Sequence, residues 1–128
     1  MAAYLIDTHA LLWFLDDSPK LSKSARATME DEQVELMVSV VSLWEIAIKA
    51  NLGKLEIEGD ISQLRQDLST LGIRLQSILV ADLDGYLRLP IHHRDPFDRL
   101  LIAQALVMDI PLISADAHFD AYEVQRLW

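Results

Sequence analysis

Residues 4–15 have the sequence YLIDTHALLWFL, in which one acid separates a short apolar run from an apolar helical segment. The run Ala3–Asp7 predicts a buried strand, and Thr8–Leu15 predicts a helix that the DDSP segment at 16–19 ends. The stretch therefore predicts a strand followed at once by a helix, with Asp7 at the junction.

The same pattern recurs along the chain. Glu35–Val41 (ELMVSVV) is apolar and rich in β-branched residues, which predicts a second buried strand, and Ser42–Asn51 predicts a helix that Gly53 ends. Apolar spacing and chain breakers predict further helices at about 22–32, 60–71, 81–89 and 96–108, and strands at 73–76, 111–114 and 123–127. Buried strands that alternate with helices are typical of a parallel sheet covered by helices on both faces.

Composition narrows the class of protein. The 128 residues fit one domain, 1–128, and their 52% hydrophobic content excludes a disordered chain. The absence of cysteine excludes disulfides, thiol catalysis and zinc–thiolate sites. The net charge of −9 argues against extensive contact with a nucleic-acid backbone, but it does not argue against phosphate chemistry at a metal.

The sequence indicates no membrane segment. The N-terminal MAAYLID lacks the basic start and long apolar stretch of a signal peptide. The longest apolar run, LLIAQALVM, is much shorter than the roughly 18–20 residues that span a bilayer. We therefore expect a cytoplasmic protein.

Four acids lie beside the apolar runs: Asp7, Glu45 in VVSLWEIAIKANLGKL, Asp98 in RDPFDRLLIAQAL and Asp116 in PLISADAHF. Asp7 and Asp116 end predicted strands, and Glu45 and Asp98 lie in predicted first helical turns. In a parallel sheet, strand ends and helix starts meet at the carboxyl edge, where ligands bind. Carboxylates gathered there repel one another unless a cation neutralises them, and oxygen ligands favour Mg²⁺ or Mn²⁺.

Each acid also has an ordinary structural interpretation. Asp7 and Asp116 could cap the helices that follow them, and Ser42 with Glu45 has the spacing of a capping box. Asp98 is favoured by the helix dipole near a helix start. Helix capping does not predict that all four acids share one edge of one sheet, so taken together they favour a metal site.

Neighbouring residues are candidates for supporting roles. Asp95 precedes Pro96 and is best explained as a helix cap, although it could join the acidic set. Lys49 lies four residues after Glu45, which favours an ion pair over a contact with substrate phosphate. Ser114 and Thr8 could each position the adjacent acid or satisfy local backbone groups.

The densest positive cluster is formed by His92, His93, Arg94 and Arg99, which flank Asp98. His93, Arg94 and Arg99 could contact an anionic substrate, and a solvated loop explains them nearly as well. Adjacent histidines rarely bind one zinc ion together, so a zinc pair is disfavoured. The HRD at 93–95 lacks the other features of a kinase catalytic loop, which excludes that assignment.

Trp13, Phe14 and Trp44 lie in apolar helical segments, and we expect them in the core. If exposed, they could stack on bases or form a partner interface.

Four segments together resemble the PIN-domain ribonucleases, in particular the VapC-type toxins of bacterial type II toxin–antitoxin systems. They are YLIDTHALLW, SVVSLWEIAIKANLGKL, LPIHHRDPFDRLLIAQA and PLISADAHFDAY, in the order of the family and over nearly the whole chain. The acidic positions of the family correspond to Asp7, Glu45, Asp98 and Asp116. Its hydroxyl position corresponds to Ser114, and Asp95 is a less secure member of the acidic set. The resemblance implies a three-layer α/β/α fold with a central, mostly parallel sheet of four to five strands. It also implies Mg²⁺ or Mn²⁺ dependence, cleavage of single-stranded RNA, a homodimer and a cognate antitoxin.

The expected chemistry is endoribonucleolytic hydrolysis. Asp7, Asp98 and Asp116 would hold one or two ions, Glu45 would bind metal or help deprotonate the attacking water, and the metal would activate that water. Two alternatives remain open at this point. One is a housekeeping PIN nuclease that processes RNA or DNA, and the other is a non-catalytic binding module whose acids are only caps.

Overall fold

The computed structural model describes residues 2–128. Strands and helices follow one another along the chain in this order: β1 (Ala3–Ile6), α1 (Thr8–Leu15), α2 (Lys23–Glu30), β2 (Glu35–Ser39), α3 (Val40–Asn51), α4 (Ile61–Thr70), β3 (Arg74–Gln76), α5 (Val80–Arg88), α6 (Pro96–Met108), β4 (Leu112–Ile113), a 3-10 helix (Ala117–Ala121) and β5 (Arg126–Leu127).

The strands form one five-stranded sheet in the order β3-β2-β1-β4-β5, and every pairing is parallel. Strand β1 is central, because Ile6 pairs with Val38 of β2 on one side and with Ile113 of β4 on the other. The predicted parallel sheet is confirmed.

Helices cover both faces of this sheet, as expected for strands whose successive side chains point in opposite directions. Leu5 and Ile6 are both fully buried and belong to separate apolar clusters. Ile6 packs in a cluster with residues of α1, α2 and α4, whereas Leu5 packs with residues of α6 and with Phe119. The α/β class and its three layers are therefore confirmed.

Helix α3 begins earlier than the sequence predicts. Strand β2 ends at Ser39, whose side chain accepts a hydrogen bond from the Val41 amide and caps the helix. The capping box that we considered for Ser42 and Glu45 is therefore wrong, and Glu45 lies in the second turn rather than the first. The apolar residues Val40 and Val41 suit a strand and a buried helix equally well, so composition alone could not locate the boundary.

The aromatic residues differ in their burial. Trp13 and Phe14 are partly buried against the apolar cluster of the α1 face, in line with the prediction. Trp44 is 59% exposed and meets the Phe97 ring edge-on at 5.1 Å, so its assignment to the core is wrong. The neighbouring helix residue Leu43 is buried instead, because the turn of the helix directs only one of the two into the core.

Within residues 2–128, none of the helices has the length and apolar character needed to cross a bilayer.

Candidate metal centre

The site begins where β1 and β4 end side by side. The Asp7 amide donates to the carbonyl of Ile113, which places Asp7 beside Ser114, the first residue after β4. One Asp7 oxygen, Oδ1, accepts from the Ala10 amide at 2.8 Å and caps α1. Ser114 is fully buried, and its Oγ accepts from the Asp116 amide at 3.0 Å. Ser114 therefore connects the two strand-end acids.

Asp7 is only 5% exposed, and burial raises its pKa from 3.8 to about 6. Hydrogen bonds from Ser114 and Ala10 oppose this rise, and the nearby charge of Asp98 adds to it. A carboxylate buried with so little compensation is costly when ionised, and a bound cation would offset that cost.

Helix α6 supplies Asp98 in its first turn. Asp95 caps this helix by accepting hydrogen bonds from the amides of Phe97 and Asp98, which confirms its interpretation as a cap. The Oδ2 atom of Asp98 lies 2.9 Å from Nε2 of His93. Burial raises the pKa of Asp98, the His93 hydrogen bond opposes the rise, and the charges of Asp95 and Glu45 increase it.

Asp116 is the most exposed of the four acids, with 41% of its side chain accessible. It caps the 3-10 helix by accepting from the His118 amide at 2.9 Å, and its Oδ1 also lies 2.7 Å from Nδ1 of His118. Each of the two acids Asp98 and Asp116 therefore has its own imidazole partner.

Helix α3 places Glu45 against α1 through a chain of hydroxyl groups. Thr8 donates its single hydroxyl proton to Oε1 of Glu45 at 2.7 Å, so Ser42, at 2.9 Å, must donate to Thr8. The other oxygen of Glu45 pairs with Lys49 at 2.9 Å, which is the i,i+4 ion pair that the sequence favours. Glu45 is thus fixed in orientation, and its charge is balanced.

The four acids are brought together unequally. One ligand atom each from His93, Asp98 and Asp116 lies within 4.8 Å of the other two. Ligands at about 2.0–2.2 Å from one ion lie at most about 4.4 Å apart, so these three fit a divalent ion after a shift of a few tenths of an ångström. Asp7 and Glu45 lie outside this close group, although the charge of Glu45 raises the pKa of Asp98 and the charge of Asp98 raises the pKa of Asp7. The assignment of all four as metal ligands stays a prediction.

The basic residues predicted for substrate differ in their availability. Arg99 is only 7% exposed, and its guanidinium donates to the carbonyl of Pro90 at 2.9 Å and lies over the Tyr86 ring. It therefore anchors the loop before α6. Arg94 is exposed and His93 is half-buried beside Asp98.

Sequence reasoning missed two contacts of the site, the pairing of His93 with Asp98 and of His118 with Asp116. The signal for His118 was local, since it lies two residues after Asp116 in the segment DAH. His93 was considered as a zinc partner of its neighbour His92 and as a contact for an anionic substrate, although it lies five residues before Asp98.

The sequence matches a protein-family model described as the PIN domain over residues 4–125. No curated protein matches the sequence.

Three similar solved structures have the same fold over nearly their whole length. VapBC2 from Rickettsia felis bound to a promoter DNA fragment has a TM-score of 0.70 at 13% identity, and the match covers 98% of this chain and 97% of that chain. VapBC-1 from nontypeable Haemophilus influenzae has a TM-score of 0.67 at 19% identity, over 98% of this chain and 96% of that chain. A toxin–antitoxin complex from Klebsiella pneumoniae has a TM-score of 0.65 at 17% identity, over 98% of this chain and 96% of that chain. At these identities the likeness shows the fold.

The raised pKa of Asp7 makes the stability of the metal-free protein depend on pH. Between pH 3.8 and about 6, the folded state holds a proton at Asp7 that the unfolded state releases. The free energy of unfolding therefore falls as pH rises through this window, by roughly 3 kcal/mol at most. We expect Asp7→Asn to raise the free energy of unfolding by about 1–3 kcal/mol near pH 7.5 in EDTA, and by almost nothing near pH 4.

Urea unfolding at both pH values tests this expectation, with Asp84→Asn on the exposed surface of α5 as the matched control. A gain that is the same at both pH values, or that Asp84→Asn also gives, would contradict the assigned burial cost.

Proposed function

This chain belongs to the PIN-domain family, and from that premise we propose that it is a divalent-metal-dependent endoribonuclease that acts as the toxin of a toxin–antitoxin pair. The observation that supports the proposal best is the close group of His93, Asp98 and Asp116 beside the buried Asp7, whose pKa the charge of Asp98 raises, with Glu45 acting electrostatically on Asp98. PIN domains are generally nucleases, and this arrangement suits phosphodiester hydrolysis.

The proposed roles follow from the contacts. Asp98 and Asp116 would hold one or two Mg²⁺ or Mn²⁺ ions, and Asp7, which is buried and feels the charge of Asp98, would complete the negative charge. A bound ion would lower the pKa of a water molecule and stabilise charge on the scissile phosphate. Glu45, held by Thr8 and Lys49, would orient or accept a proton from the attacking water.

A direct test is cleavage of a single-stranded RNA oligonucleotide with Mn²⁺ or with EDTA. We expect cleavage only with the metal, and products that end in 5′-phosphate and 3′-hydroxyl groups. Asp7→Asn should lower the rate by at least about 100-fold, because several kcal/mol of transition-state stabilisation depends on the ion. The fold should remain intact, since asparagine keeps the oxygen that accepts from Ala10.

Products with 2′,3′-cyclic phosphate would contradict the proposal, because they indicate attack by the RNA's own 2′-hydroxyl. Asp84→Asn, an exposed change of the same kind, should keep full activity. A non-catalytic module whose acids are only caps would show neither cleavage nor a rise in melting temperature with Mn²⁺.

The proposed antitoxin partner fits a groove between α1 and α4. The groove has a volume of about 650 Å³, with Leu12, Leu15 and Leu64 among its apolar lining. Four acids also line it: Asp16, Glu56, Glu58 and Asp67. An apolar floor with acidic groups beside it suits an amphipathic segment that carries basic residues, and the similar structures described as toxin–antitoxin complexes support a partner of this class.

We expect a small basic protein encoded directly upstream to bind this groove. The double variant Glu56→Lys with Glu58→Lys should bind this basic protein more weakly, and its affinity should depend less on salt. Calorimetry at two ionic strengths measures both effects. Asp84→Lys, outside the groove, should leave both unchanged. Equal binding by all variants would exclude the groove as the binding site of the partner. The absence of an upstream partner would favour the alternative, a housekeeping nuclease.

The proposed homodimer fits the exposed face of α5. Val80, Leu83 and Leu87 follow one another at helical spacing and are 77%, 52% and 82% exposed, and Ile91 continues the apolar surface at 76%. An exposed apolar surface of this kind is typical of a protein interface.

We expect the chain to sediment as a dimer at micromolar concentration and Leu87→Glu to sediment as a monomer, because a buried charge without a partner is costly at an interface. Leu52→Glu, at a comparably exposed position after α3, should remain dimeric. A monomeric wild-type protein would contradict the proposed assembly.

A further inference from the structure

One nitrogen atom lies among the oxygen ligands of the candidate metal centre. His93 Nε2 is 2.9 Å from Asp98 Oδ2, and a ligand atom of His93 belongs to the same close group as those of Asp98 and Asp116. An all-carboxylate site suits Mg²⁺, whereas an imidazole ligand favours later transition metals. The identity of this third ligand therefore bears on which ion the site selects.

The position of His93 is fixed by groups outside the acidic set. Its backbone amide donates to the Tyr122 hydroxyl at 2.9 Å, and the same hydroxyl accepts from the His92 amide at 3.2 Å. The buried Arg99 donates to the carbonyl of Pro90 at 2.9 Å, which holds the start of this loop. A ligand that is already held in place loses little conformational entropy on binding an ion.

His118 offers an internal comparison. Its ring stacks on that of His93 at 5.5 Å and 17°, and its Nδ1 lies 2.7 Å from Asp116. It differs in that its side chain is 77% exposed and that it is not a member of the close group. Both imidazoles contact an acid of the site, but only His93 has the position of a ligand.

We propose that His93 binds the divalent ion directly through Nε2, together with Asp98 and Asp116, and that this mixed set favours Mn²⁺ and Co²⁺ over Mg²⁺. The inference rests on the proposed metal-dependent function and specifies its ion site. Ligation would replace the hydrogen bond between Nε2 and Oδ2 of Asp98, since Nε2 must offer its lone pair to the ion and the ring proton then lies on Nδ1. His118 acts on the site only through Asp116.

Calorimetric titration of the protein with Co²⁺ and with Mg²⁺ tests the proposal. We expect wild type to bind Co²⁺ at least about tenfold more tightly than Mg²⁺. His93→Gln, which replaces the nitrogen with an amide oxygen, should weaken Co²⁺ binding by about 10–100-fold and change Mg²⁺ binding by less than about threefold. His92→Gln is the matched control and should change Co²⁺ binding by less than about threefold. His118→Gln removes the partner of Asp116 and should weaken Co²⁺ and Mg²⁺ binding alike, whereas the effect of His93→Gln should be selective for Co²⁺.

Proton spectra of the Co²⁺-loaded protein give a readout that a merely orienting histidine would not produce. A ligating imidazole gives a strongly shifted, exchangeable ring N–H signal, which we expect in wild type and in His118→Gln but not in His93→Gln. Melting in EDTA verifies that His93→Gln is folded. If His93→Gln is not folded, His93→Asn replaces it, and the wild-type spectrum shows whether an imidazole binds the ion.

The outcomes separate the inference from the function on which it rests. If His93→Gln keeps both the Co²⁺ affinity and the shifted signal of wild type, the assignment of His93 as a ligand is wrong. If Asp98→Asn still abolishes metal binding in that case, the proposed metal-dependent function stands without His93. A wild-type protein that binds neither ion would overturn the metal-dependent function and this inference with it.

Discussion

The central constraint is the position of β1 between two parallel strands. Because β2 and β4 pair with it on either side, the residue that follows β1 lies at the middle of the carboxyl edge, where it is buried. That residue is Asp7, and its burial raises its pKa to about 6. The charge of Asp98, in the first turn of α6, adds to this rise, so the fold places two carboxylates near each other at a point where solvent screens Asp7 little. A bound cation would offset the electrostatic cost of ionising these carboxylates.

Much of the fold was predictable because its elements have strong local patterns. The apolar run of β1 predicts its strand, and Pro96 after a capping aspartate predicts the start of α6. The start of α3 was not predictable, because Val40 and Val41 suit either element and the decision depends on Ser39 capping the helix. Trp44 was misjudged for a similar reason. An apolar composition does not say which face of a helix the sheet will cover, and one step along a helix rotates a side chain by about 100°.

The positions of Asp7, Asp98 and Asp116 at element ends were predictable, whereas Glu45 lies in the second turn of α3. The partners of these candidate acids were not predictable. The contact of His93 with Asp98 depends on a loop held by Arg99 and by Tyr122, which lies 29 residues beyond His93. Spacing rules describe neighbours on one helix or strand and contain no information about such a loop. The Thr8, Ser42 and Glu45 chain, which joins α1 to α3, is tertiary in the same way.

The distribution of positive charge limits how a nucleic acid could be held. The chain carries a net charge of −9, and near the site Lys49 is paired with Glu45 while Arg99 is buried beneath its loop. Arg94 is exposed, so it can meet a phosphate, but one arginine neutralises little of a strand's charge. A substrate would therefore be held chiefly by an ion at the acids and by contacts with bases rather than by many backbone phosphates. Binding of that kind depends only weakly on salt, because few counterions are released. The exposed Trp44, in contact with Phe97 in the first turn of the same helix as Asp98, is an aromatic surface suited to stacking with a base.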